Sequence, residues 1–232
     1  MDLLNDINAY AAAHTPQELL SYVSGLFPGA VKFSSSLGQE DQVLTDMIAR
    51  DRLDIQIFTL DTGRLFNETY ELLDKVGARY RIPVDVYYPD AGEVEALVRT
   101  RGINGFYESV ENRKACCAVR KVHPLNRALE GAKVWVSGIR ADQSINRGKM
   151  TVAEWDTEKH LYKLNPLLLW SLEEVLSYID RHHVPYNTLH DKGFVSIGCA
   201  PCTRATGPGE DPRAGRWWWE TSQKECGLHG IR

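Results

Sequence analysis

The chain has 232 residues, 43% of them hydrophobic and 25% charged, with a formal net charge of −4. That length and composition suit an ordinary soluble globular protein: one large domain, or a domain plus a tail. The slight negative charge gives no general electrostatic reason to bind nucleic acid, and no apolar run reaches the roughly 20 residues that cross a bilayer.

The N-terminus, MDLLNDINAY, has no basic region followed by an apolar stretch and does not read as a secretory signal. The cytoplasm is therefore the expected compartment, where disulfides are rare and clustered cysteines point to metal or catalysis. Thr15-Pro16-Gln17-Glu18 forms a capping box with proline at the first helical position, which predicts a helix to about Phe27. β-rich runs then alternate with helical patterns. AVKFSS precedes a helix from about Gln39 to Arg50, DIQIFTL precedes one through NETYELLDKV, and VDVYY precedes one around GEVEALVRT. KVWVSG reads as a further buried strand, and Ser171-Leu172-Glu173-Glu174 caps another helix.

Strands separated by single helices predict right-handed βαβ units: an α/β fold with a mostly parallel twisted sheet and helices on both faces. Ligands of such sheets bind at the carboxyl ends of the strands. Three loops follow predicted strands, SSSLGQED, LDTGRL and SGIRADQS. In the first, small residues, hydroxyls and a helix N-terminus supply donors for an anion, without matching the G-x-x-x-x-G-K-[ST] phosphate loop. An N-cap followed by a turn would account for one serine of the three. LDTG alone does not make an aspartic protease, which needs two such loops.

After Cys202, TRATGPGEDPRAGR is rich in glycine, proline and charge. It reads as a linker with glycines 207, 209 and 215 as hinge points, leading to WWWETSQKECGLHGIR. The expected division is thus a domain over 1–205 and a mobile segment over 206–232.

Five cysteines remain to be explained: the adjacent pair Cys116-Cys117, the C-x-x-C pair Cys199 and Cys202, and Cys226. Four thiolates suit zinc or an iron–sulfur cluster. Neighbouring cysteines on one helix point about 100° apart, which suits a larger cluster better than a small tetrahedral ion. Zinc stays open, as does a redox C-x-x-C pair beside two buried cysteines. Arg113, Lys114, Arg120, Lys121 and His123 crowd around the first pair, and Arg204, Arg213 and Arg216 follow the second. A solvated basic face is the plain alternative, but cations beside metal ligands suit an anion such as phosphate or sulfate.

SSSLGQED, LDTG, KACCAVRKVHPL, SGIRADQS, KGFVSIGCAPCTR, GRWWWE and KECGLH, in that order, resemble the assimilatory adenylyl-sulfate reductases. That family also contains the 3′-phosphoadenylyl-sulfate reductases, and the likeness runs from about Ala30 to His229. It implies an adenine-nucleotide-alpha-hydrolase-like fold, reduction of adenylyl sulfate to sulfite and AMP, and thioredoxin as electron donor. Members with both cysteine pairs are similar to the 4Fe–4S enzymes, so Cys116, Cys117, Cys199 and Cys202 are implied as ligands of one 4Fe–4S cluster. Cys226 is implied as the nucleophile that forms an S-sulfocysteine, with Lys224 and His229 near it in sequence. Such a cysteine must meet both a nucleotide and a protein partner, which would explain a mobile segment.

Further roles follow with the resemblance. Ser34, Ser35 and Ser36 would line the phosphate loop, and the backbone at Leu60 and Gly138 would hold adenine or ribose. Lys121, Arg213 and Arg216 would pair with phosphosulfate oxygens, with His229 beside them, and Arg140 and Arg147 would support the site. The cluster is expected to act structurally and electrostatically, without changing oxidation state. Trp217 to Trp219 read as packing beneath a lid rather than a thioredoxin patch. A homo-oligomer is expected. The competing readings are a 3′-phosphoadenylyl-sulfate reductase, an adenylating ATP pyrophosphatase, and a metal-binding nucleotide sensor.

Overall fold

The computed structural model describes residues 2–143 and 150–220. Helices α1 (Leu3–Ala13) and α2 (Pro16–Leu26) precede strand β1 (Val31–Ser34) and helix α3 (Gln39–Asp51). Strand β2 (Gln56–Leu60), α4 (Asn67–Tyr80), β3 (Asp85–Tyr87) and α5 (Ala91–Arg101) continue the alternation. Then come α6 (Val110–Cys117), α7 (His123–Ala128), β4 (Val134–Val136), β5 (Ala153–Asp156), β6 (Leu161–Leu164) and α8 (Leu172–His182).

The strands form a six-stranded sheet of order β3-β2-β1-β4-β6-β5. β1 pairs in parallel with β2 and with β4, and β4 with β6, while β5 runs antiparallel to β6. The parallel sheet expected from the alternation is present. The β5–β6 edge hairpin was not read from the sequence. Its strands have four residues each, and its turn is an Asp156 side chain accepting from the Glu158 and Lys159 amides, both at 3.0 Å, followed by His160 at φ 53. Short strands joined by charged residues give little hydrophobic periodicity to read.

Both capping boxes form: Thr15 and Glu18 on α2, and Ser171 and Glu174 on α8. Each satisfies two amides that the first helical turn leaves without partners. No helix among the described residues is long and apolar enough to cross a membrane.

The chain divides into two compact units. One holds residues 1–59, 72–85 and 131–187, and the other holds 60–71, 86–130 and 188–232. The core of the first is built from strand residues such as Val31, Phe33, Val134 and Val136 with helix residues such as Leu20, Val43, Leu44 and Val175. Strand residues buried on both faces give the continuous apolar runs typical of parallel sheets. The second unit has a different core: Phe106, Cys199, Cys202 and Trp217, with Cys116 and Trp219 packed against it.

Candidate active site

In the first unit, the loop between β1 and α3 is organised by a buried carboxylate that the sequence reading passed over. Asp41 Oδ2 accepts hydrogen bonds from the Ser36 amide at 2.6 Å and the Ser36 hydroxyl at 2.5 Å. Leu37 in this loop is left-handed at φ 61, a conformation costly for a γ-branched residue unless the surroundings hold it. Burial pushes the Asp41 carboxyl up to about 6, while Ser36 and the Gly138 amide pull it down and Glu40 adds to the rise. Gly138 must be glycine on steric grounds, because a Cβ there would lie 2.2 Å from Asp41 Oδ1. One carboxylate therefore ties the SSSLGQED loop to the SGIRADQS loop.

All three serines have internal partners. The Ser34 hydroxyl accepts from Trp135 Nε1 at 2.7 Å, and the Ser35 hydroxyl accepts from the Leu37 amide at 3.2 Å. Arg140 is buried and donates from Nε to Glu40 Oε1 at 2.8 Å, with Asp142 as a second ion-pair partner. Gln143 Nε2 reaches the same Glu40 oxygen at 2.9 Å. Glu40 and Asp41 thus organise this loop from inside the motif that carries the three hydroxyls. The acidic pair at the start of a predicted helix was the available signal.

In the second unit, the cysteine pairs lie in one packed environment. Cys116 and Cys117 end α6, and the chain continues as a π-helical turn over Ala118–Val122, an irregularity that often marks functional sites. Cys199 and Cys202 flank a short 3-10 turn. The Thr62 hydroxyl lies 3.3 Å from Cys199 Sγ, and the Thr62 carbonyl accepts from Arg120 Nη1 at 2.7 Å. The Ala200 amide donates to the Arg64 carbonyl at 2.8 Å. The LDTGR loop, entered at half-buried Leu60, is therefore bonded directly to the second cysteine pair.

The thiols influence one another. Burial pushes Cys202 up to about 12, and the Cys199 and Cys117 charges add to the rise. Burial also raises Cys116, partly opposed by Arg120 and Arg64. Burial acts upward on Cys199 as well, but Lys121, the Thr62 hydroxyl, Arg216 and Arg120 together outweigh it, and the net direction is down. Among the described residues, no three His, Cys, Asp or Glu side chains converge as a single metal ion would require.

Residues 206–220 are tied into this unit. Thr203 and Arg216 form an antiparallel bridge, and a Cβ on Gly215 would lie 2.3 Å from the Arg204 carbonyl oxygen. That position is a close backbone approach, not an open hinge. Gly209, at φ 78, turns the chain freely. Trp217 is 1% exposed, with the guanidinium carbons of Arg113 and Arg216 at 4.6 and 4.8 Å from its ring centroid. Arg216 also fills the space above Gly198, where a Cβ would meet its Nη2 at 2.3 Å. The Arg213 amide closes a turn onto Asp211 at 2.7 Å. Arg147, Lys224, Cys226 and His229 lie outside the described residues.

The architecture recurs in solved structures. The phosphoadenylyl-sulfate reductase of Candida auris, in a phosphate complex, is 29% identical with a TM-score of 0.75 over 87% of this chain and 96% of that one. The FMN adenylyltransferase of Candida glabrata shares the fold at 17% identity, with a TM-score of 0.54 over 83% of this chain and 65% of that one. The class is therefore the adenine-nucleotide-alpha-hydrolase-like α/β sheet.

Residues 30–205 match the family described as the phosphoadenosine phosphosulfate reductase domain, and the chain belongs to that family. Among its relatives, the adenosine 5′-phosphosulfate reductase of Allochromatium vinosum is 53% identical over 91% of this chain and 83% of that protein. The protein of the same name from Neisseria meningitidis is 48% identical over 85% of this chain and 81% of that protein.

Proposed function

We propose that the chain reduces adenylyl sulfate to sulfite and AMP as an oxidoreductase of sulfate assimilation, through a covalent sulfonate on Cys226. The observation that carries this reading is the single core in which Cys199, Cys202 and Cys116 pack with Trp217, and which Lys121, Arg120 and Arg216 influence electrostatically.

The donor set suits one 4Fe–4S cluster held by Cys116, Cys117, Cys199 and Cys202. Burial first, and then repulsion from Cys199 and Cys117, hold the Cys202 thiol protonated, so ionising all four thiols needs compensating positive charge. Arg120 Nε, Arg216 Nε and Trp219 Nε1 are buried without a hydrogen-bond partner among the described residues. Such donors suit sulfur acceptors or a bound anion. When bound, the cluster would supply iron charge that keeps its thiolates ionised, while Lys121, Arg120 and Arg216 supply the positive field beside it.

The Ser34–Ser36 loop and the Gly138 backbone would hold the nucleotide, with Leu60 at the base or ribose and Arg140 fixing the loops. Lys121, Arg213 and Arg216 would hold the phosphosulfate oxygens, with His229 beside them and Arg147 in support. The Cys226 thiolate attacks sulfur, the sulfur–oxygen bond to AMP breaks, and the sulfonate remains on Cys226. A dithiol reductant of the thioredoxin class then attacks Cys226 Sγ, and sulfite leaves with the electron pair of the broken sulfur–sulfur bond. The second thiol of the reductant resolves the mixed disulfide, returning Cys226 and leaving the reductant oxidised by two electrons.

The test is to incubate anaerobically purified protein with adenylyl sulfate or its 3′-phosphorylated form, without reductant, and weigh the C-terminal peptide. A sulfonate on Cys226 with the first nucleotide, released as sulfite by thioredoxin, is expected. Labelling by the 3′-phosphorylated nucleotide alone would assign the other substrate, and no adduct with either would overturn the covalent mechanism.

A further inference from the structure

We infer that the buried Arg113–Glu220 ion pair is a positioning device that fixes the point from which the chain leads to Cys226. This rests on the reading of Cys226 as nucleophile given above. Arg113 sits on α6, four residues before Cys117. Its Nε and Nη2 donate to Glu220 Oε1 and Oε2, both at 2.9 Å, and both side chains are 3% exposed. A two-point contact of this kind fixes the planes of both groups and leaves neither free to rotate. For stability alone, a well-packed apolar pair would serve as well, because desolvating two charges offsets most of their attraction. Direction is what the ion pair adds.

The chain on the way to Glu220 is held at successive points. The Trp217 amide donates to the Cys202 carbonyl at 3.2 Å, and the Glu220 amide donates to the Trp217 carbonyl at 2.9 Å. Trp217 itself is left-handed at φ 42, an outlier for a bulky residue that persists only where its surroundings over-determine it. Here two guanidiniums, those of Arg113 and Arg216, pack on its ring. Arg113 therefore grips both the strained turn and the residue that follows it. From Glu220 to Cys226 there are six residues. They span at most about 21 Å, so the clamp bounds where the thiol can go. Releasing it would leave Arg216 and Trp217 as the nearest buried anchors and lengthen the stretch of chain between anchor and thiol.

The experiment is a single turnover of holoenzyme with saturating adenylyl sulfate and no reductant, timing sulfonate appearance on Cys226 in wild type and in Glu220→Gln. Sulfonation should slow roughly tenfold, between the small effect of tether length and the ~100-fold cost of misalignment. AMP affinity, iron content and the rate at which thioredoxin frees sulfite from pre-sulfonated enzyme should match wild type. If Glu220→Gln is insoluble, Glu220→Asp, which keeps the charge but is too short to hold both guanidinium nitrogens, takes the same measurement and leaves Arg113, which also bonds the Cys117 thiol, in place. Equal sulfonation rates would overturn the inference, as would a slowing accompanied by equal loss of iron or of AMP affinity. Wild-type protein that gains no sulfonate on Cys226 would instead sink the nucleophile assignment on which the inference stands.

Discussion

Replacing Asp41 by asparagine should change how stability depends on pH, in a direction fixed by its surroundings. Burial lifts the Asp41 carboxyl from its ordinary 3.8 to about 6, against the opposing pull of the Ser36 hydrogen bonds. The folded state therefore holds this proton more tightly than the unfolded state. Its stabilising contribution is complete below pH 3.8 and is lost as pH rises through about 6. The gap corresponds to about 3 kcal/mol. Asparagine cannot ionise, so the stability difference between wild type and Asp41→Asn should shift by about this amount from pH 3.5 to pH 7, with wild type losing ground. Urea unfolding followed by tryptophan fluorescence at a series of pH values measures the difference, and titrations common to both proteins cancel. A 13C carboxyl titration assigned by the same substitution should show a midpoint near 6. A pH-independent difference, or one in which wild type gains ground as pH rises, would refute the account of this loop.

Gly138→Ala should destabilise the protein by about 2–3 kcal/mol, since its Cβ would press on Asp41 Oδ1 at 2.2 Å and on the Asp41 amide at 3.1 Å. AMP affinity should fall with it, read by calorimetry alongside the melting temperature. Cys202→Ser should lose most of the bound iron and the visible absorbance of a cluster, because hydroxyl oxygen is a poor ligand where thiolate is required. Full iron retention would remove Cys202 from the ligand set. Ser171→Ala removes the side-chain half of the α8 capping box and should cost about 1 kcal/mol, a melting shift of about 2–4 °C with nucleotide binding unchanged.

The alternation of strands and helices, both capping boxes and the three loops that follow strands were legible in the sequence because each rests on short-range rules: periodicity, a cap four residues long, a loop after a strand. The cysteine spacing likewise singled out residues that the fold gathers, since Cys116, Cys199 and Cys202 share the core of the second unit. The roles of Glu40, Asp41, Thr62, Arg113 and Glu220 were not legible, since each acts through a partner distant in the chain. Asp41 meets Gly138, Thr62 meets Cys199, and Arg113 meets Glu220, 107 positions away. The run after Cys202 shows the limit most clearly. Its glycines and charges read as a linker, yet Arg216, Trp217 and Glu220 are buried in the second unit. Composition records the local freedom of a segment, while burial depends on whether the folded chain offers a surface to cover. Local rules determined the α/β sheet and the residue types available for its chemistry. Only the tertiary structure decided that Asp41 holds two loops together and that Arg113 pairs with Glu220, because those contacts exist only once the chain has closed on itself.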